Sequence, residues 1–333
     1  MKKKEKKLNI LHIILSKGFA GSEKYVIDLT RYQNKNFNVS VIILNQNKEL
    51  KNSLKGISKL YVIGSFFKRY NIQKILYKAK PDIVHTHLGE ATKLVKKSSN
   101  YKTVATMHMN YKDKDFKNSD AIIVSNDTQF REIKPKYSGK LFKSYLWVDL
   151  PKITINKKKL KKKLNLPKKN FIFGSIGRFH PQKGFDILIE CFKEMNLKNC
   201  TLILVGNGHE KYKFLETKNK NFKIIGHVKN VSNYYNIFDV GLFFSRWETF
   251  GYSLVEAMQF KLPIISSKHI GNKDWLDKFK IIKANINSRK QLKDTIKKLY
   301  KIKPKKKKYD LKMFDYKKNC EAITSIYKKI LVK

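Results

Sequence analysis

The sequence predicts an α/β fold of two doubly wound parallel-sheet domains, on three observations. Apolar runs of strand length alternate with helical patterns along nearly the whole chain. The alternation weakens between Trp147 and Lys169, a Lys-rich stretch with Pro151 and Pro167 that reads as a helix or linker. A length of 333 residues with 41% hydrophobic content is enough for about two cores.

Taken in order, Ile10 to Leu15, Val39 to Leu44, Asp82 to His85, Thr103 to Met107 and Ala121 to Ser125 read as buried parallel strands of a first domain, residues 1–150. The opening MKKKEKKLNILHIILSKG has the outline of a leader. Its apolar run is short, holds Asn9 and His12 and stops at Lys17, so a first strand accounts for it better. A second series, Phe171 to Ile176, Thr201 to Val205, Lys223 to Ile225, Val240 to Phe244 and Pro263 to Ser266, with a helix over Gly184 to Met195, builds a second domain, residues 151–312. The run Lys301 to Asp310 reads as a solvated connector. An amphipathic helix at about Tyr316 to Ile330 follows, expected to pack back towards the first domain (segment 313–333). Two such domains facing each other would form a cleft at the carboxyl ends of their strands.

The net charge of +47 invites a nucleic-acid reading, yet only six of the 73 basic residues are Arg. Base reading favours Arg forks, and no helix-turn-helix, zinc finger or RNA-recognition motif is present, so no specific nucleic-acid partner is expected. Lysine is scattered over the whole chain, as solvated surface would have it. Three cysteines make no metal or disulfide spacing, and no run reaches the roughly 18 apolar residues of a membrane span. The expected location is cytoplasmic.

The segment Ser245 to Pro263, SRWETFGYSLVEAMQFKLP, carries the most chemistry. A helix is expected to begin near Thr249 or Phe250, with Glu248 before it and Glu256 inside it. First-turn N–H groups suit an anion, and two carboxylates suit the paired hydroxyls of a sugar and a ribose. By spacing alone, a first-turn charge and a solvated helix face would do equally well.

Other segments resolve the choice. GRFHPQKGFDILIECF, LILVGNGHE and NFKIIGHVKNVSNYYNIFDVGLFFSRWETFGYSLVEAM, preceded by GFAGSEKYVIDLTRY, PDIVHTHLGE and TVATMHMN, occur in an order and spacing that resemble GT-B-fold glycosyltransferases of family 4, over nearly the whole chain. That resemblance implies retaining, metal-independent transfer from a nucleoside diphosphate sugar, the co-substrate, to a glycan or lipid-linked acceptor in cell-surface polysaccharide synthesis. It implies no bound cofactor.

Breaking the anomeric C–O bond puts charge on the leaving phosphate, which a cation must stabilise. Arg178 and Lys183, five residues apart around Pro181 at a strand end and helix start, suit that task. Gly21, opening the first helix, would let backbone N–H groups approach the pyrophosphate. By resemblance, Glu256 holds the ribose and Glu248 the donor sugar. Backbone groups of Phe250, Gly251, Tyr252 and Ser253 support sugar and phosphate, Val228 lies in the base-contacting turn, and His108 lies near the transferred sugar. His85 and His87 read as structural, and no carboxylate or cysteine spacing completes a metal site with the histidines.

The chain departs from the family in two places. Its motif helix exits through Gln259, Phe260, Lys261, Leu262 and Pro263 where a small residue and a glycine are usual, so that loop is expected to be reshaped. HIGNKDWL has only Gly271 and Asp274 where a Gly-Gly pair and Glu are common. In SFFKRYNIQKILYKAK, Phe66, Phe67 and Tyr70 interleave with Lys68 and Arg69. The phenylalanines are either core, or part of a surface that rests peripherally on an anionic membrane at the inner face of the cell. Two other readings compete: a GT-A-type metal enzyme using Asp113 and Asp115, and a non-catalytic polyanion or nucleic-acid binder favoured by charge alone.

Overall fold

The computed structural model describes residues 7–195, 197–213, 221–269 and 271–332. The chain divides into two compact units, Met1–Trp147 with Met313–Lys333, and Val148–Lys312.

The first unit holds strands β1 (Asn9–Ile14), β2 (Asn38–Leu44), β3 (Lys59–Ile63), β4 (Ile83–His87), β5 (Lys102–Thr106), β6 (Ala121–Val124) and β7 (Lys140–Lys143). They form one parallel sheet in the order β3-β2-β1-β4-β5-β6-β7. Chain direction across the sheet reverses after β3, so β1 and β4 flank a topological switch point. Residue alternation gives the faces different characters. Leu11 and Ile13 join Ile42, Leu44, Ile72 and Val84 in an apolar layer, while His12, paired in register with His85, points the other way.

The second unit holds β8 (Phe171–Ile176), β9 (Cys200–Val205), β10 (Phe222–Ile225), β11 (Val240–Phe243), β12 (Ile264–Ser266) and β13 (Ile282–Lys283), in the order β10-β9-β8-β11-β12-β13. Its switch point lies between β8 and β11. Phe173, Leu188, Phe192, Leu202, Leu242 and Phe244 centre its core.

β3, β7 and β13 went unread in the sequence because they are edge strands with mixed, partly exposed side chains, whereas the central strands are continuous apolar runs. The Lys301–Asp310 run is not simply a solvated connector. A helix continues to Ile302, and beyond it Lys307 N donates to Lys261 O (2.7 Å), Lys307 Nζ to Phe279 O (2.6 Å) and Tyr309 OH to Leu262 O (2.7 Å). The final helix, Tyr316–Leu331, packs in the first unit against the helix Gly21–Gln33 and β5. No helix among the described residues is long and apolar enough to cross a membrane.

Candidate functional site

In the second unit Lys183, after β8, and Glu248, after β11, meet at the carboxyl end of the switch point. Lys183 and Glu248 form an ion pair, with 16% and 13% of their side chains exposed. Ser245 Oγ donates to the same carboxylate oxygen of Glu248 at 3.0 Å. The lysine stem lies over Gly177, just beyond β8, where a Cβ would sit 3.3 Å from Lys183 Cε. Arg178, the next residue, is exposed, and its carbonyl accepts from His180 N at 2.9 Å.

Glycine makes this approach possible. Gly184, at φ +64°, precedes the helix Phe185–Glu194, and a Cβ there would meet Phe244 O at 2.1 Å. The chain leaving β11 is tied to this turn: Arg246 N donates to Gln182 O (2.7 Å), Gln182 Nε2 to Trp247 O (3.0 Å), and the Arg246 guanidinium forks onto Asp186 at 2.9 and 2.6 Å. On the other side Gly271 N donates to Glu248 O (2.8 Å), and a Cβ on Gly271 would lie 2.4 Å from Phe250 N. Glu248 is thus held by loops on both flanks.

The motif helix begins at Tyr252 rather than Thr249 or Phe250, because Gly251 at φ +90° sits at its N-cap and the buried Phe250 ring anchors the loop before it. Backbone bonds of the first turn start at Leu254 and Val255, both to Gly251 O. Glu256 is oriented by a residue the sequence did not single out: the buried Tyr235 hydroxyl lies 2.8 Å from Glu256 Oε2 and 3.0 Å from Ser253 O. One carboxylate oxygen is braced by this hydroxyl. Tyr235 is fixed in turn by stacking on Phe260, ring centroids 5.5 Å apart.

The exit at Phe260 and Lys261 closes in a tight turn. Leu262 N donates to Ala257 O and Lys261 N to Met258 O, the pairing of a Schellman motif, with Lys261 at φ +60° in the position glycine usually takes. Burial of His269, which lies against Gly251, holds its imidazole at a pKa of about 4, against the opposing pull of the Glu248 carboxylate. Val228 lies in the loop after β10, half-buried.

In the first unit, Gly21 opens its helix after β1, with Glu23 accepting from Ala20 N (2.6 Å) in the first turn. His108 lies two residues past β5, half-buried, its ring edge-on to Tyr25 at 4.9 Å between centroids. Burial lowers its pKa to about 3, so it is neutral. His85 and His87 are fully buried, and His12 joins them. His12, His85 and His87 are close enough to meet around a metal ion. All six of their ring nitrogens, however, already lie within hydrogen-bond distance of protein groups. Asp113 and Asp115 lie in a short helix, Asp113–Phe116, where Asp113 accepts from Tyr111 OH.

Phe66 and Phe67 are not core: they are 82% and 81% exposed, and Tyr70 and Tyr77 on the following helix are exposed beside them. Arg69 stays outward, while Lys68 pairs with Glu90.

Two parallel sheets, one in each unit, define the GT-B architecture rather than GT-A. Solved structures agree. A glycosyltransferase of Rickettsia africae superposes with a TM-score of 0.83 over 98% of this chain and 99% of its own, at 19% identity. HepE of Anabaena, solved with UDP-glucose, superposes at 0.74 over 97% and 98%, at 18% identity. Residues 156–313, within the second unit, match the model of the glycosyl transferases group 1 family. An uncharacterised glycosyltransferase of Methanocaldococcus jannaschii is 29% identical over 261 residues, 66% of this chain and 63% of that protein. The chain thus spans less than two thirds of that curated relative.

Proposed function

We propose that the protein is a retaining, metal-independent family 4 glycosyltransferase. It moves a sugar from a nucleoside diphosphate sugar to a hydroxyl of a glycan or lipid-linked acceptor in cell-surface polysaccharide synthesis. The observation that carries this reading is the pairing of Lys183 with Glu248 beside a Tyr235-braced Glu256, all at the carboxyl edge of the second switch point. A ribose diol matches the remaining oxygen of Glu256. Arg178 and Lys183 face the charge that builds on the leaving phosphate, and the first turn after Gly251 adds backbone donors. Glu248 accepts from sugar hydroxyls while tied to Lys183. It serves as a binder and electrostatic support, because same-face departure, in which the phosphate takes the acceptor proton, needs no enzymic nucleophile. In this reading Gly21 and Val228 contact pyrophosphate and base through backbone groups, and His108 contacts the sugar. HepE, solved with UDP-glucose, makes a uridine nucleotide the first donor to try.

The test is a panel of nucleotide sugars assayed for hydrolysis and transfer. The reading requires turnover of at least one donor without added metal, with the anomeric configuration kept; turnover of none refutes it. The exposed Phe66, Phe67, Tyr70 and Tyr77 beside Arg69 and Lys74 further support peripheral binding to an anionic membrane. Flotation with anionic vesicles should recover the protein at low salt, and the Phe66→Ser/Phe67→Ser variant should be left behind. Recovery equal to that with neutral vesicles contradicts the membrane assignment.

A further inference from the structure

The histidines of the first unit form a continuous hydrogen-bonded chain with a direction. Gln33 Oε1 lies 2.8 Å from His12 Nε2, and Gln33 Nε2 donates to Tyr327 OH at 3.2 Å. The amide oxygen can only accept, so His12 carries its proton on Nε2 and its Nδ1 is an acceptor. His12 Nδ1 is 3.0 Å from His87 Nε2, which must then be the donor. His87 Nδ1 is left as acceptor for His108 Nε2, 3.4 Å away. On the other side of Gln33, the Tyr327 hydroxyl donates to His85 Nδ1, and His85 Nε2 donates to Thr106 Oγ1 at 2.7 Å. His12, His85 and His87 are satisfied at both ring nitrogens in the neutral form, and only one assignment of their protons is consistent with the Gln33 amide.

We propose that Gln33, His12 and His87 are positioning residues that set the tautomer of His108: its proton is held on Nε2, facing inward, and its Nδ1 is an acceptor. The link to catalysis rests on the reading of His108 as a sugar contact; the relay itself does not. Gln33 is the directing element, because its amide is the one group in the chain whose two ends differ chemically. Tyr327, from the final helix, holds that amide in place. The other titratable groups packed around the chain are Tyr25, stacked on Trp147, and Cys320, both protonated at neutral pH because burial raises them.

The inference makes a remote substitution act over three rings. Gln33→Glu places a carboxylate opposite His12 Nε2, which stabilises a proton taken from solvent on His12. His12 Nδ1 then becomes a donor to His87 Nε2, His87 Nδ1 becomes a donor to His108 Nε2, and the His108 proton moves to Nδ1. A substitution that only disturbed packing would not produce that ordered switch.

Nitrogen-15 NMR of the full-length chain with labelled histidine reads each tautomer directly. In the wild type, the expected result is a proton on Nε2 of His12, His87 and His108. In Gln33→Glu, the expected result is His108 protonated on Nδ1. Tyr327→Phe is the milder second variant, in which the released amide can turn over and His108 shows both tautomers. A wild-type His108 protonated on Nδ1, or His108 signals unchanged in both variants, overturns the proposal. No sugar is needed for this readout. A chain that switches tautomer but transfers nothing would therefore defeat the enzymatic reading and leave the relay standing.

Discussion

The Lys183–Glu248 pair separates stability from chemistry when it is dismantled in steps. Removing one partner of a buried ion pair costs about 3–5 kcal/mol, because the other charge is left without compensation. Here both side chains retain a little solvent contact, 16% and 13%, and Ser245 Oγ still donates to the carboxylate. Lys183→Met should therefore cost about 2–3 kcal/mol, less than a fully buried pair. Glu248→Gln alone should cost a similar amount, leaving the ammonium against the Gly177 backbone. The double variant removes both charges and should recover to within about 1 kcal/mol of wild type, a coupling of the size expected for contacting residues. At about 2–4 °C per kcal/mol for a domain of this size, the single variants should melt roughly 5–10 °C early and the double close to wild type. Catalysis should not follow. Loss of a preorganised group facing transition-state charge costs about 10²–10³ in rate, so all three variants should transfer sugar at least about 100-fold more slowly. Thermal melts and initial-rate transfer assays on the four proteins decide it. Transfer that returns in the double variant along with stability would refute the reasoning and leave the pair a structural brace.

Three further outcomes follow from the geometry. Tyr235→Phe removes the hydroxyl that holds Glu256 Oε2 and should weaken nucleoside diphosphate binding about tenfold by calorimetry, roughly 1.4 kcal/mol, with a smaller loss of stability. Lys261→Gly relieves a left-handed residue in a Schellman turn and should stabilise the second unit by about 1 kcal/mol in urea titrations, with binding unchanged. The buried histidines make the first unit acid-sensitive. His12 is held at about 4 and His108 at about 3 by burial, and His85 and His87 well below their ordinary value, against about 6.5 in the unfolded chain. Below pH about 6.5 the unfolded chain takes protons that the folded unit refuses. Stability is therefore full above that pH and falls as pH drops towards 4, by about 1.4 kcal/mol per pH unit for each histidine involved. Urea midpoints between pH 7.5 and 4.5 should show this slope, and a flat profile would contradict it.

How much of this was legible in the sequence depended on where a residue sits. Central strands such as Phe171–Ile176 announce themselves, because burial on both faces requires an unbroken apolar run; Lys140–Lys143, at an edge, carries no such mark. Lys183, Glu248 and Glu256 could be singled out because motif spacing and charge point to them. Tyr235 could not, since a tyrosine in SNYYN has no local signal for a partner 21 residues away. In the sequence His12 is a polar interruption of an apolar run that argues against a leader. Only the parallel register, which pairs it with His85, reveals that it belongs to a chain of imidazoles. Phe66 and Phe67 were ambiguous because hydrophobicity does not record whether anything packs against it, and the fold leaves them open. Lys261 misled in the opposite sense: a glycine-type turn was present without its glycine, since local backbone bonds and the packing of Phe260 on Tyr235 fix the conformation.

The central claim is that the carboxyl edge of the second sheet binds a nucleoside diphosphate sugar through its two glutamates and its cations. Isothermal titration of the full-length protein with UDP-glucose and a panel of other nucleotide sugars, alongside Glu256→Ala and Arg178→Ala variants, tests it most directly. The account predicts saturable one-to-one binding of at least one donor, weakened tenfold or more in each variant, about 1.4 kcal/mol or greater. Wild-type protein that binds none of the panel, or binding that both variants leave intact, would contradict it.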